Sequence, residues 1–216
     1  MPKGFSDIAF DKRIFEQDVT AFESLLATTW LSERDELLPF FREHPVLSSR
    51  IASVIQEGLL FPDRMAFEFD IFGDFVADLV VGSSVTNTYC FVEFEDAQEY
   101  SLFRKRGNRF EPSFGARFEH GYSQIVDWFC ALEGMKGSGT AYLSRFGSRD
   151  IHYQGLLVIG RDASLDADPR KDALRHRIEW RSRNVRFSQR RIVIMTYDEL
   201  LGNLRYQDRM IENFRD

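Results

Sequence analysis

The chain is poor in the residues that announce a bound metal cluster or a covalent framework. Its 216 residues include two cysteines and four histidines. Cys90 and Cys130 fall in separate predicted elements, and His44, His120, His152 and His176 are scattered, so no zinc-ligand spacing exists. The two cysteines read as reduced core thiols of a cytosolic protein. No apolar run reaches the ~18 residues a transmembrane helix requires. The opening stretch, MPKGFSDIAFDKR, has no apolar segment of the secretory type. A cytoplasmic location and no membrane partner are therefore expected. Walker A, a strand-borne GxGxxG, GxSxG and HExxH are all absent, which excludes the common nucleotide-binding, hydrolase and metalloprotease signatures. Neither an internal repeat nor a low-complexity tract occurs.

Net positive charge is lacking as well. The formal charge is −6, which argues against a general nucleic-acid binder. Its distribution is uneven, however. Between Asp168 and Arg191 nine Lys or Arg face three acids, a local +6 that leaves −12 for the remainder. Arg104, Lys105, Arg106 and Arg109 form a second, smaller basic cluster.

What the chain has in quantity is phenylalanine, 21 in all, and the length for one sizeable domain. Apolar spacing predicts a helix over 13–30. Ser32 and Asp35 resemble a capping box at the head of a second helical stripe, Leu37 to Ile55, which Pro45 must kink or split. Gly58 is a plausible helix stop. Residues 65–72, 74–81 and 89–95 then read as three strands joined at Gly73 and 82–88, an antiparallel meander. A loop is expected over 98–113, a helix over 116–134, a mobile loop over 136–150 and a buried strand over 154–161. A basic helix over 168–184, a strand over 190–197 and a helix over 198–214 close the chain. The order α-βββ-α-β-α-β-α predicts an α/β fold with a mixed central sheet flanked by helices.

Acids are depleted in strand interiors, yet Asp78 interrupts DFVADLVV and Glu93 and Glu95 interrupt TYCFVEFE. A buried carboxylate is costly unless a cation or strong donors compensate it. Residues two apart share a strand face, so Glu93 and Glu95 project together while Val92 and Phe94 face the core. If the second and third strands pair through 82–88, Asp78 converges on Glu93. A divalent cation with oxygen ligands, Mg²⁺ or Mn²⁺, would compensate such a group and points to phosphodiester chemistry. The competing reading makes Glu95, and less readily Glu93 and Asp78, solvent-facing acids paired with Lys or Arg. Glu68 and Asp70 alternate with apolar residues and read as an exposed face. Gln124 follows His120 by one helical turn; it either positions a water or braces a carboxylate, or it edges the apolar stripe. His120 reads as a structural hydrogen-bonding residue. Glu36 and Glu57 are further acids from which an earlier ligand could come. The basic helix either binds phosphates through residues such as Arg175 and Arg181 or is a solvated face.

Taken in order, FVADLVV, FVEFEDAQEYSLFRKRGNRFEPSFGARFEHGYSQIVDWF, GLLVIGR and VIMTYDELL resemble the Shedu immune nuclease family of bacterial anti-phage proteins. That family is a branch of the PD-(D/E)XK nuclease superfamily. The resemblance spans about residues 33–204. It implies a restriction-endonuclease-like core over 33–216, preceded by a helical extension over 1–32. It also implies a Mg²⁺- or Mn²⁺-dependent active site, DNA as substrate and a homo-oligomer. By position, Asp78 takes the first strand carboxylate, Glu93 opens the E-x-K motif and Gln124 matches the following helix. Asp78 and Glu93 are the implied metal ligands, and Glu95 completes the catalytic set. Arg104, Lys105, Arg175 and Arg181 are the candidate DNA contacts. The family pattern has lysine where this chain has Glu95. Besides an active endonuclease, a non-catalytic DNA-binding or sensor module therefore stands as the alternative, and a scaffold assembling through 168–214 as a third.

Overall fold

A computed structural model describes residues 4–54, 59, 61–105, 111–184, 186–187 and 190–213. Ile55, Glu57, Gly58, Arg106 and Arg109 lie outside the described residues, and the readings placed on them are set aside. The first helix, α1 (Lys12–Leu26), begins where the Asp11 side chain accepts the Ile14 N–H at 3.0 Å. Phe15, Val19, Phe22 and Leu26 follow at helical spacing and are all buried. The helix stops at Leu26, short of the expected 30. Ser32 caps a π-helical turn (Glu33–Leu37) by accepting the Asp35 N–H. The return bond to the Ser32 N–H comes from Glu36, at 2.7 Å, rather than from Asp35. The stripe beyond is split as expected, into α2 (Leu38–Glu43) and α3 (Pro45–Arg50), with Pro45 at the start of the second piece.

The meander is present as β2 (Arg64–Ile71), β3 (Phe75–Ser83) and β4 (Thr88–Phe94), preceded by the short strand β1 (Ser6–Asp7). With β7 (His152–Val158), β9 (Arg190–Met195) and β8 (Arg186–Phe187) they form one sheet, ordered β1-β2-β3-β4-β7-β9-β8. Pairing is antiparallel from β1 through β4, parallel for β4/β7 and β7/β9, and antiparallel again for β8/β9. The sheet is thus mixed and the fold α/β, as the element order requires.

Two expected loops are partly regular. Within 98–113, β5 (Phe103–Arg104) pairs with β6 (Ser113–Phe114). The segment read as a mobile loop holds α5 (Gly139–Phe146), whose Tyr142 and Phe146 are buried. Its Gly and Ser suggested a loop, but burying two aromatic rings against the sheet outweighs weak helix propensity. The other helices are α4 (Ala116–Lys136), α6 (Asp162–Asp166), α7 (Lys171–Asn184) and α8 (Tyr197–Asn213).

The sheet has an apolar core on each face, following the strand period of two. Leu79, Val81, Val92 and Phe94 meet α1, α2, α3 and α8. Val80 and Phe91 meet α4, α5 and α7 on the other side. Phe41 stacks on Phe94 with centroids 4.3 Å apart, which is worth about 0.5–1.5 kcal/mol beyond area burial. Arg161, at the end of β7, is buried. It donates to the carbonyls of Leu26 and Thr28, at 2.8 and 2.7 Å, and pairs in bidentate fashion with Asp198. It therefore closes the open end of α1 and ties it to α8. Cys90 is buried as expected, but Cys130 is exposed, because its helical position falls opposite the stripe of Ile125, Phe129 and Leu132. Among the described residues no helix is long and apolar enough to cross a membrane.

Candidate active site

The sheet forks where its acids lie. Pairing of β3 with β4 runs from Ser83–Thr88 to Leu79–Val92, and there it ends. Beyond it β3 continues along β2 to Phe75, while β4 continues along β7 to Phe94. Asp78 sits at the fork. Its carboxylate accepts the Phe94 N–H at 2.9 Å and shares a hydrogen bond with Glu93. Opposite Asp78 on β2 stands Glu68, whose φ of +50° is in the left-handed region that side chains seldom adopt. Such strain persists only where the surroundings enforce it. Glu68 is ion-paired to Arg42 and Asp70 to Arg145, and both acids are half-buried rather than exposed.

Glu93 is 6 % exposed and Glu95 1 % exposed. Both belong to the sheet face covered by α4, as their spacing predicts. The approach of α4 depends on Gly121. A Cβ there would lie 2.8 Å from Leu157 Cδ1 and 2.9 Å from Glu95 Cγ. The helix then presents three polar side chains at helical spacing, Arg117, His120 and Gln124. His120 Nδ1 is 2.9 Å from Glu95 Oε1. The Arg117 guanidinium reaches Asp96 at 3.1 Å, Glu95 at 3.4 Å and Glu33 at 3.6 Å. Asp96 also accepts the Glu33 N–H at 2.9 Å, which fixes the π-helical turn at the edge of the site. Tyr197 donates its hydroxyl to the Glu95 carbonyl at 2.8 Å. Gln124 is half-buried, and its Oε1 is buried with no hydrogen-bond partner among the described residues.

The electrostatics are those of acids short of a cation. Burial, followed by the charges of Asp78, Glu95 and Glu33, pushes the Glu93 carboxyl up to about 11. Burial raises Asp78 to about 6 against the Phe94 hydrogen bond. Glu95 and Glu33 are raised too, chiefly by burial. Among the described residues no ion pair reaches Asp78 or Glu93. Ligand atoms of Glu93, Glu95 and His120 lie within 4.8 Å of one another, and Asp78 adjoins them through Glu93. The carboxylate oxygens of such a group suit Mg²⁺ or Mn²⁺. The uncompensated carboxyls of Asp78 and Glu93 fit such an ion.

Of the residues expected from sequence, Asp78, Glu93 and Glu95 come together at the fork, and Gln124 shares the helix face of His120. Arg104 and Lys105 are exposed and line a cleft beside the cluster, with Asp96 and Arg117 common to both. Arg175 and Arg181 are committed elsewhere. Arg175 pairs with Asp162 and Asp166. Arg181 forms a bidentate pair with Glu119 at 2.9 and 3.0 Å and covers the rings of Phe114, Phe118 and Tyr122. Sequence reasoning missed Glu33, Asp96 and Arg117 and read His120 only as structural. The Arg117, His120 and Gln124 spacing on one helix is the signal that could have found two of them. Glu36, considered as a ligand, is instead the cap of Ser32.

A family model described as Shedu protein SduA, C-terminal, matches residues 31–201. No curated protein matches the chain at a significant level. The chain belongs to the Shedu family, and that membership implies a part in anti-phage defence.

Proposed function

We propose that this Shedu protein is a metal-dependent DNA endonuclease with a PD-(D/E)XK core, hydrolysing phosphodiester bonds in the cytoplasm as its part in defence. The observation that carries the reading is the fork between β3 and β4, where half-buried Asp78 and buried Glu93 converge beside Glu95 and, among the described residues, have no ion-pair partner. Asp78, Glu93 and Glu95 would hold Mg²⁺ or Mn²⁺, with His120 as the adjoining imidazole. Bound there, such an ion would lower the pKa of a water and neutralise charge developing at phosphorus.

The chain's own groups supply the rest. Arg117, at the rim and half-exposed, offers a planar donor pair to a phosphate oxygen. His120 is held through Nδ1 by buried Glu95 while its side chain is 62 % exposed. Its other nitrogen is left to exchange a proton with solvent or with a leaving oxygen. Glu95, in the position of the family lysine, thus acts on the reaction partly by orienting His120. The Gln124 amide is available to orient a water from the same helix face. Assembly into a homo-oligomer on DNA belongs to the same proposal.

The experiment is cleavage of supercoiled and linear DNA with Mn²⁺, for wild type and Asp78→Ala. Cleavage by wild type alone, abolished by EDTA, supports the reading; cleavage in excess EDTA contradicts it. A second reading, a non-catalytic DNA-binding module, is favoured by Glu95 standing where the family pattern has lysine. It predicts DNA binding with no metal-dependent cleavage.

A further inference from the structure

The cleft beside the acidic cluster has a volume of about 570 Å³ and is lined by Asp96, Tyr100, Arg104, Lys105, Ala116 and Arg117 among others. It differs from the site itself in charge. Arg104 and Lys105 are exposed and form no ion pair with another described residue, and Arg117 closes the cleft toward Asp96. Tyr100 is 63 % exposed, a large aromatic surface left in water next to three cations. Ala116 and Arg117 are the first residues of α4, whose cap residue Gly115 contributes no side-chain hydrogen bond. First-turn N–H groups therefore add positive potential to the same wall.

The cleft is built in advance rather than shaped by loose chain. Gly115 N–H donates to the Leu102 carbonyl at 2.8 Å. A Cβ at Gly115 would fall 2.3 Å from the Ser101 carbonyl oxygen, so only glycine lets this segment lie on the head of α4. The Ser101 hydroxyl accepts the Gln98 N–H, and the Ser101 N–H returns to the Gln98 carbonyl, which closes the turn carrying Tyr100. Phe103 stacks on Phe114 with centroids 4.8 Å apart and anchors its far side.

An exposed ring flanked by cations is how proteins hold unpaired nucleotides: the base stacks and the backbone is neutralised. The volume is that of a small-ligand pocket, enough for one nucleotide. We propose that this cleft seats one unpaired nucleotide of a DNA strand beside the phosphate to be cut. Its base lies on Tyr100 and its phosphate lies against Arg104, Lys105 and the head of α4. The substrate class is then single-stranded or locally unpaired DNA. The placement beside a scissile phosphate rests on the function proposed above; the nucleotide seat itself does not.

The test is fluorescence anisotropy of a short labelled single strand, and of the same sequence as duplex, with the whole protein in EDTA. Wild type, Tyr100→Ala, Tyr100→Phe and the double variant Arg104→Ala/Lys105→Ala are compared. Wild type should prefer the single strand. Tyr100→Ala should weaken single-strand binding about 5- to 150-fold, the range of one lost base–aromatic stack, and Tyr100→Phe should retain it. The double variant should weaken it and flatten its salt dependence. Single-strand affinity unchanged in Tyr100→Ala overturns the proposal, and so does equal affinity of wild type for duplex. Competition by a free deoxynucleoside monophosphate as effective as the strand overturns it also, in favour of a nucleotide pocket. Because binding is read without metal, Tyr100-dependent binding in a protein that never cleaves DNA would sink the nuclease reading and leave the cleft assignment standing.

Discussion

Asp78 Oδ2 accepts the backbone N–H of Phe94 at 2.9 Å, across the point where the β3–β4 ladder has already ended. A side chain thus takes the place of a strand carbonyl. The bond holds the carboxylate at the mouth of the fork and keeps β4 directed along β7. The site is therefore a consequence of the sheet's change from antiparallel to parallel pairing, and the acids that line it bear the cost.

That cost is measurable. An acid whose folded-state pKa is raised binds its proton more tightly folded than unfolded. Stability is then lost as pH rises from the unfolded value toward the folded one. The window runs from 3.8 to about 6 for Asp78 and from 4.5 to about 11 for Glu93. Glu93→Gln cannot ionise and removes the larger share. In EDTA at pH 8 this variant should be more stable than wild type by at least about 1 kcal/mol, or about 2–4 °C in Tm. The gap should shrink at pH 5, while cleavage assayed separately with Mn²⁺ is lost at both. Melts of the two proteins at the two pH values check this, and equal Tm values at pH 8 would contradict it.

Gly121 sets the distance between α4 and Glu95. The Cβ of Gly121→Ala has no room beside Leu157 and Glu95. The variant should lose about 1–3 kcal/mol to overpacking, against the usual gain of an alanine in a helix. Denaturant unfolding measures the loss. Cleavage measured below the variant's Tm should fall as well, because the same shift moves His120 from Glu95.

The two arginines that sequence nominates for DNA in the basic helix are ion-paired within the chain. Arg181→Ala strips a cation from the rings of Phe114, Phe118 and Tyr122 and leaves Glu119 without its bidentate partner. It should cost about 1–2 kcal/mol of stability and change DNA affinity less than removal of Arg104 and Lys105. Parallel melts and binding curves separate the two outcomes. DNA affinity that falls further in Arg181→Ala, at unchanged Tm, would return α7 to the interface.

Asp198→Ala leaves the buried guanidinium of Arg161 without its counter-charge while its bonds to the end of α1 remain. Breaking a buried pair from one side costs about 3–5 kcal/mol; with Asp198 partly exposed, the lower end is expected. Urea unfolding at neutral pH measures it, and a change below about 0.5 kcal/mol would show that the carbonyls alone satisfy Arg161.

Much of this was legible in the sequence because it is encoded at short range. The period of two puts Glu93 and Glu95 on one face, pairing through 82–88 brings Asp78 to Glu93, and Pro45 splits its helix as its missing N–H demands. The contributions of Glu33 and Asp96 were not legible, because their roles arise from contacts between segments far apart in the chain. Glu33 enters through a π-helical turn whose cap looked like an ordinary helix start. The helix α5 was hidden for a different reason: its Gly and Ser signal a loop locally, and only the sheet beneath Tyr142 and Phe146 reverses that preference. Arg181 looked free because sequence cannot reveal that Glu119 and three rings lie under it.

The most direct test of the central claim is calorimetric titration of Mn²⁺ into wild type and Asp78→Ala at neutral pH, with melts to confirm that both are folded. The account predicts saturable binding by wild type and at least a tenfold loss, about 1.4 kcal/mol, in the variant. No binding by wild type, or equal binding by both folded proteins, would contradict a divalent-cation site at the fork between β3 and β4.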